Sequence, residues 1–364
     1  MNKDHNLPRK QRNIASSLKI ALHQDKLIRF LRGENVYPIC LELDITTECN
    51  KQCDNCPSRL RPKIDRLSTR AVEQLFSLLQ GQTTGLLLSG GEPTIAENFP
   101  AVLRLARQYN FIDVALVTNG SRLGEKLVIE ALLSDASAVR ISLYGWDRGP
   151  SVELQETLRL VTALREKVES TGSELEIGYS VLTSATMADQ IQPIIQRLGD
   201  SGAHWVYFHP MCFGWEKGFL EQFDQNNILR SIKQAVANAP AGLDVLVYED
   251  RYHDINLHFD EYYTAHFLMV VGADGFNYLG TELKYQHEYA IADFSVPLKS
   301  DFLWQPSRLE KITAANSKSF PSTAGRHRGI LYADLIERLK VGREILTDLS
   351  SKATLEDLRF PSVL

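Results

Sequence analysis

Thr46-Thr47-Glu48-Cys49-Asn50-Lys51-Gln52-Cys53-Asp54-Asn55-Cys56-Pro57-Ser58 sets three cysteines at CxxxCxxC spacing. It follows residues 39–46, where Leu41, Leu43 and Ile45 alternate with Glu42, Asp44 and Thr46 in the period of a strand. The cysteines therefore stand on a loop leaving a strand. Three thiolates this close can converge on one metal centre, whereas a closed zinc site or an ordinary iron–sulfur site wants four protein ligands. No fourth cysteine or histidine lies nearby. A four-iron cubane held here would keep one iron open to something that is not protein.

Downstream of the loop, strand and helix patterns alternate. Ser68 can cap a helix whose Val72, Leu75, Phe76 and Leu79 form one apolar stripe. The apolar run 85–89 reads as a buried strand and leads into Gly90-Gly91-Glu92-Pro93-Thr94. Strands are then expected at 113–118, ending in Thr118-Asn119-Gly120, and at 139–144, 175–182 and 205–209, with helices at 99–108, 125–133, 152–169 and 188–198. Six strands alternating with helices imply parallel βαβ crossovers and an α/β fold. Periodicity alone leaves a partial barrel and a doubly wound sheet both open.

Outside this region the pattern changes. Residues 1–13 read as disordered and 14–32 as a helix ending at Gly33. After Pro210 the expected elements are a helix at 219–238, a strand at 243–248, a hairpin over 267–279 turning at Ala273-Asp274-Gly275-Phe276, and helices at 307–315 and 332–346. The division that follows is a tail and helix at 1–37, a core domain at 38–215, and a smaller α+β domain at 216–364 covering the open end of the core.

At 364 residues and a net charge of -5, with both signs interspersed, the chain shows no electrostatic footprint for nucleic acid or an anionic membrane. Its N-terminal stretch lacks a secretory apolar core and its apolar runs are too short to span a bilayer, so a cytoplasmic protein is expected. Five cysteines, three of them clustered, point to metal chemistry before disulfides.

Taken together, Cys49, Cys53 and Cys56, then Gly90-Gly91-Glu92-Pro93 after the second strand and Thr118-Asn119-Gly120 after the third, resemble the radical S-adenosylmethionine (SAM) superfamily over about residues 38–210. The resemblance implies a partial (β/α)6 TIM-like barrel. It also implies a [4Fe–4S] cluster on the three cysteines, with SAM chelating the open iron and cleaved there to methionine and a 5′-deoxyadenosyl radical. In such proteins Gly90, Gly91 and Glu92 would hold the methionine amino end, and Ser142 the ribose, with Asn119 a further contact. Asn55 stands where the family commonly places an aromatic residue near the adenine.

An inside-facing reading of the strands lines the lumen with Glu42, Asp44, Arg140, Ser142, Tyr144, Glu176, Ser180, Tyr207 and His209. Tyr144 and Cys212 are the candidate catalytic side chains, Cys212 as a hydrogen-atom donor and otherwise as a small buried apolar residue. No cysteine follows Cys212, which leaves no thiolates for the auxiliary clusters many relatives carry. Arg326-His327-Arg328 reads as an anion contact or a solvated loop. The implied partners are a small-molecule substrate, with a ribosomally made peptide second, and a flavodoxin- or ferredoxin-like electron donor. A non-catalytic iron–sulfur or zinc protein is the reading from another class.

Overall fold

The alternation of apolar residues along each strand decides which face meets the helices. In the computed structural model, β1 (Cys40–Asp44), β2 (Gly85–Ser89), β3 (Asp113–Thr118), β4 (Ala138–Leu143), β5 (Glu176–Thr183) and β6 (Trp205–Pro210) run parallel, each beside the next in sequence. Between them come α2 (Thr69–Leu79), α3 (Phe99–Gln108), α4 (Lys126–Asp135), α5 (Val152–Thr171) and α6 (Ile191–Asp200). A doubly wound sheet would reverse its strand order partway. Here the order never reverses, and the helices share one face: Leu41, Leu86, Leu116, Ile141 and Tyr179 bury with Phe76, Val102, Leu132, Val161 and Ile194 in one core. A sheet whose crossover helices all lie on one side, and whose strand order does not close on itself, is a partial barrel.

The structure describes residues 17–53, 56, 64–79, 81–143, 151–210, 225–247, 249–252, 258–294, 301–318, 328–352, 360, 362 and 363. Local signals behave as their chemistry demands. Ser68 Oγ accepts from Ala71 N–H at 3.2 Å, and Ser151 caps α5 by accepting from Leu154 N–H at 3.1 Å. That helix ends at Gly172, whose φ of 66° suits a residue without Cβ.

Beyond β6 the sheet continues. α7 (Gln225–Val236) leads to β7 (Asp244–Val247), which adds parallel to β6, while β8 (Leu268–Val271) adds parallel to β1. The expected hairpin joins β8 to β9 (Phe276–Tyr278), and β10 (Ala290–Asp293) completes a ten-stranded sheet ordered β10-β9-β8-β1-β2-β3-β4-β5-β6-β7. The strands after residue 216 thus extend the barrel from both edges, and the boundary expected near 215 lies outside the described residues. α8 (Pro306–Ala314), α9 (Arg328–Lys340) and α10 (Leu346–Lys352) follow.

The first helix differs from expectation. Ser17–Leu22 is a 3-10 turn, and α1 spans only Gln24–Leu31. Tertiary packing explains the break: Ile20 and Ala21 are buried, and Lys19 Nζ donates to Val363 O at 2.7 Å, so the turn wedges under the barrel. There Ile20, Leu27, Tyr332, Ile336, Leu349 and Val363 pack with Cys40, Leu87, Ala115 and Ala138, inward residues from the starts and middles of the strands. An apolar plug therefore closes that end of the lumen, and Cys40 is part of it. The polar inward residues remain toward the other end. Among the described residues no helix is long and apolar enough to cross a membrane.

Candidate functional site

The cysteine loop begins where β1 ends and is pinned from three sides. Its return leg pairs with its start: Thr47 N–H donates to Asp65 O at 3.0 Å, Asp65 N–H to Thr47 Oγ1 at 2.8 Å, and Leu67 N–H to Ile45 O at 3.0 Å. Arg66 forms an ion pair with Glu48. From β2, Gly91 N–H donates to Thr46 O at 2.9 Å and Glu92 N–H to Glu48 O at 2.7 Å. From β3, Asn119 Nδ2 lies 3.8 Å from Cys49 Sγ and 2.9 Å from Asn50 Oδ1, and Lys51 Nζ donates to Asn119 O at 3.3 Å.

The glycines are required by this packing. A Cβ on Gly91 would sit 2.0 Å from Glu48 O, and one on Gly90 2.5 Å from Thr46 O, with φ at Gly90 of 123°. Glu92 is fully buried and accepts from Thr94 N–H (3.1 Å), Thr94 Oγ1 (2.5 Å), Thr118 Oγ1 (2.7 Å) and Asn119 N–H (2.6 Å). Both carboxylate oxygens are thus engaged by protein. The glutamate ties the ends of β2 and β3 together, and the Gly90–Gly91 backbone lies against the start of the cysteine loop.

Cys49, Cys53 and Cys56 are each half-buried free thiols. Burial pushes the Cys49 and Cys53 thiols up; Glu92 adds to this at Cys49, and the neighbouring cysteines at both. Without a metal they are protonated, so metal uptake must displace protons. Among the described residues no three Cys, His, Asp or Glu side chains close on a point as the ligands of a single ion do. Three thiols sharing one rim, each within the others' electrostatic reach, suit a polynuclear cluster that takes one thiolate per iron. The donor set therefore fits an iron–sulfur cluster with one iron left to another ligand.

Beside this turn the lumen holds a buried charged group. Lys284 Nζ donates to Asp44 Oδ1 at 2.7 Å, Glu42 Oε1 at 2.9 Å and Ser89 Oγ at 3.2 Å. Thr281 Oγ1 donates to Glu42 Oε2 and Tyr285 OH to Asp44 Oδ2, each at 2.7 Å. Burial pulls the Lys284 ammonium down, but Asp44 and Glu42 together outweigh it and hold it above the ordinary lysine value. Two inward carboxylates on β1 signal a cation requirement. Nothing in the sequence says that Lys284, some 240 residues away, supplies it.

Across the lumen the donors are mostly neutral. Ser142, half-buried, stands in register with Ser180, whose Oγ lies 2.8 Å from His209 Nε2, and His209 stacks on Tyr207 with ring centroids 5.0 Å apart. Trp205 covers Gly178, where a Cβ would lie 2.1 Å from the indole. Its Nε1 is buried with no hydrogen-bond partner among the described residues. Of the sequence-derived candidates, Cys49, Cys53, Cys56, Gly90, Gly91, Glu92 and Asn119 converge at the ends of β1–β3, and Ser142 stands on β4. Asn55, Tyr144 and Cys212 lie outside the described residues, as do Arg326 and His327.

Comparison with known proteins locates the same region. Residues 43–175 match the Radical SAM superfamily. Mycofactocin maturase MftC of Mycobacterium ulcerans is 32% identical over 110 residues, 30% of this chain and 30% of that protein. The probable GTP 3′,8-cyclase of Saccharolobus islandicus is 24% identical over 212 residues, 53% of this chain and 64% of that protein. The chain spans about a third of the length of the first of these curated relatives and under two thirds of the second. Among solved structures, Streptococcus suis SuiB bound to S-adenosylmethionine superposes with a TM-score of 0.61 at 15% identity, over 79% of this chain and 71% of that one. That likeness is one of fold.

Proposed function

We propose that the chain, whose residues 43–175 match the Radical SAM superfamily, is a radical SAM enzyme holding a [4Fe–4S] cluster on Cys49, Cys53 and Cys56. It would bind SAM against the Gly90–Glu92 turn and act on an organic substrate in the lumen. The observation that carries this reading is the fastening of the three-cysteine loop to the Gly90–Gly91 backbone and, through Glu92, to Thr118 and Asn119. When bound, the cluster and SAM supply reductive cleavage of the sulfonium bond and, from it, a carbon radical able to take hydrogen from an unactivated C–H bond.

The remaining work belongs to this chain's own residues. Asn119 is placed to donate to Cys49 Sγ, Glu92 fixes the turn on which the methionine end would rest, and Ser142 faces the lumen where the ribose would lie. The apolar plug shuts water out from below. Tyr207, His209 and Ser180 offer a stacking face and hydrogen bonds to a substrate opposite the cofactor.

A small polar metabolite is the preferred substrate class, because an apolar cluster packs at one end of the lumen and polar side chains line the other. A peptide is the second reading, favoured by the similarity to mycofactocin maturase. Electrons would come from a flavodoxin- or ferredoxin-like donor. Anaerobic reconstitution followed by dithionite and SAM tests the proposal: 5′-deoxyadenosine should form in excess over a Cys53→Ala control. An intact cluster that yields none sinks the enzyme reading, and one colourless metal per chain would replace it with a zinc site. Candidate small molecules and short peptides that accelerate 5′-deoxyadenosine formation then separate the substrate classes.

A further inference from the structure

We propose that Lys284, carried by a turn far along the chain, is a positioning residue of the SAM site, setting the Gly90–Glu92 turn through Asp44 and Ser89. The proposal rests on the radical SAM reading above and gives the positioning role to Lys284 and Tyr285, which lie outside the matched residues 43–175.

The contacts run in an unbroken series. Lys284 Nζ reaches Asp44 and Ser89, and Ser89 Oγ itself donates to Asp44 Oδ1 at 2.6 Å. Ser89 is followed by Gly90, whose Cα presses on Asp44 so closely that a Cβ would stand 3.1 Å from the Asp44 Cβ. Asp44 is therefore clamped between the lysine and the turn. The next residue, Tyr285, has φ of 68°, a left-handed conformation costly for an aromatic side chain. That strain brings the Tyr285 hydroxyl to the second Asp44 oxygen, while the same hydroxyl accepts from Ala273 N–H at 3.0 Å. Two consecutive residues thus grip one carboxylate.

A buried group of three charges is a poor way to stabilise a core, since apolar residues of similar volume usually do as well. Glu42, Asp44 and Lys284 have side-chain exposures of 2%, 0% and 10%. Their retention beside the cofactor turn is explained if they hold geometry. Among the described residues Tyr285, from the same loop as Lys284, is a further titratable group bonded to the set, and its ring lies 5.8 Å from that of Tyr278, whose hydroxyl donates to Asp274. Without the lysine cation, Glu42 and Asp44 are two like charges in that space, and protonation of one would relieve their repulsion.

The experiment compares wild type, Lys284→Met, Tyr285→Phe and Glu42→Gln/Lys284→Met, all reconstituted anaerobically. SAM affinity is read from the change it causes in the spectrum of the reduced cluster, from about pH 6 to about pH 9. Wild type should bind with a flat profile. Lys284→Met should keep its iron and lose about 10- to 100-fold in SAM affinity at the alkaline end, the scale of an outer-shell defect at a metal site. It should recover toward acid, where protonation of one carboxylate removes the like-charge repulsion. The double variant removes the charge excess and should flatten the profile, which also covers the case of a single variant that does not fold. Hydrogen exchange at residues 44–50 and 89–92 in the cluster-free proteins supplies a readout without cofactor and should quicken in Lys284→Met and Tyr285→Phe. Wild-type SAM affinity in both folded variants, or unchanged exchange, overturns the role of Lys284. Wild type that takes up no SAM instead overturns the cofactor reading, and the exchange data still judge the clamp.

Discussion

Alanine at position 91 separates two reasons for a glycine at the end of β2, close approach by a ligand and close approach by the protein's own backbone. The added Cβ would lie 2.0 Å from Glu48 O and 2.6 Å from both Glu48 C and Thr47 O, atoms that no rotamer change can move. Ordinary contact would need a shift of about 1.4 Å by the cysteine loop or the turn. Such overpacking costs about 1–3 kcal/mol. The same shift breaks or stretches Gly91 N–H to Thr46 O and Glu92 N–H to Glu48 O, each worth about 0.5–1.5 kcal/mol net. The sum, about 2–6 kcal/mol, falls on the loop holding Cys49, Cys53 and Cys56, so ordered loop should fall at least tenfold at 1.4 kcal/mol per decade. Gly91→Ala should therefore take up markedly less iron and sulfide per chain while keeping its far-ultraviolet circular dichroism. Gly124→Ala is the control, because its Cβ meets only the mobile Leu160 Cδ2 at 3.0 Å, and it should stay within about 1 kcal/mol of wild type with full iron content. Normal iron content in Gly91→Ala would refute the packing argument and return the glycine to the ligand.

Glu92→Gln replaces an acceptor engaged by four donors with a group that presents an NH2 to at least one of them; stability should fall by about 1.5–3 kcal/mol in chemical denaturation. Asn119→Ala removes the amide near Cys49 Sγ, and a redox titration of the reconstituted cluster should show a lower midpoint potential. Gly178→Ala would drive a Cβ to 2.1 Å from the Trp205 indole and should destabilise the chain, whereas in a Trp205→Leu background the added cost should shrink, a non-additivity read by a double-mutant cycle. The stability that Lys284 contributes should be fully present below the ordinary lysine value of 10.5 and be lost only as pH rises through its higher folded value, so denaturation midpoints should show no loss from this group across neutral pH.

Much of the barrel was legible because it is written in local periods. Leu41, Leu43 and Ile45 announce the helix-covered face of β1, and the apolar stripe of Val72, Leu75, Phe76 and Leu79 announces the helix that covers it. What decided between a barrel and a doubly wound sheet was strand order, a non-local property that periodicity does not record. The 3-10 turn over Ser17–Leu22 was hidden for the same reason: Lys19 and Ile20 answer to residues near the far end of the chain. At the site, Cys49, Cys53, Cys56 and the glycine turn are dense local motifs and could be found. Lys284, Thr281 and Tyr285 belong to no motif, and only folding brings them to β1.

That asymmetry bears on how the sequence after residue 216 should be regarded. The pattern of strands breaks near Pro210, which suggests a second domain laid over a finished barrel. Yet β8 pairs with β1 along Cys40–Leu43, and its hairpin delivers the turn whose Lys284 neutralises carboxylates on that same strand. With β8 removed, β1 becomes an unpaired edge, and Glu42 and Asp44 become two buried anions without this cation. The cost of losing both would fall on the strand from which the cysteine loop springs. A truncation after residue 215 should therefore fail to give a cluster-binding core, and soluble, iron-loaded protein from such a truncation would show that the matched domain stands without its later strands.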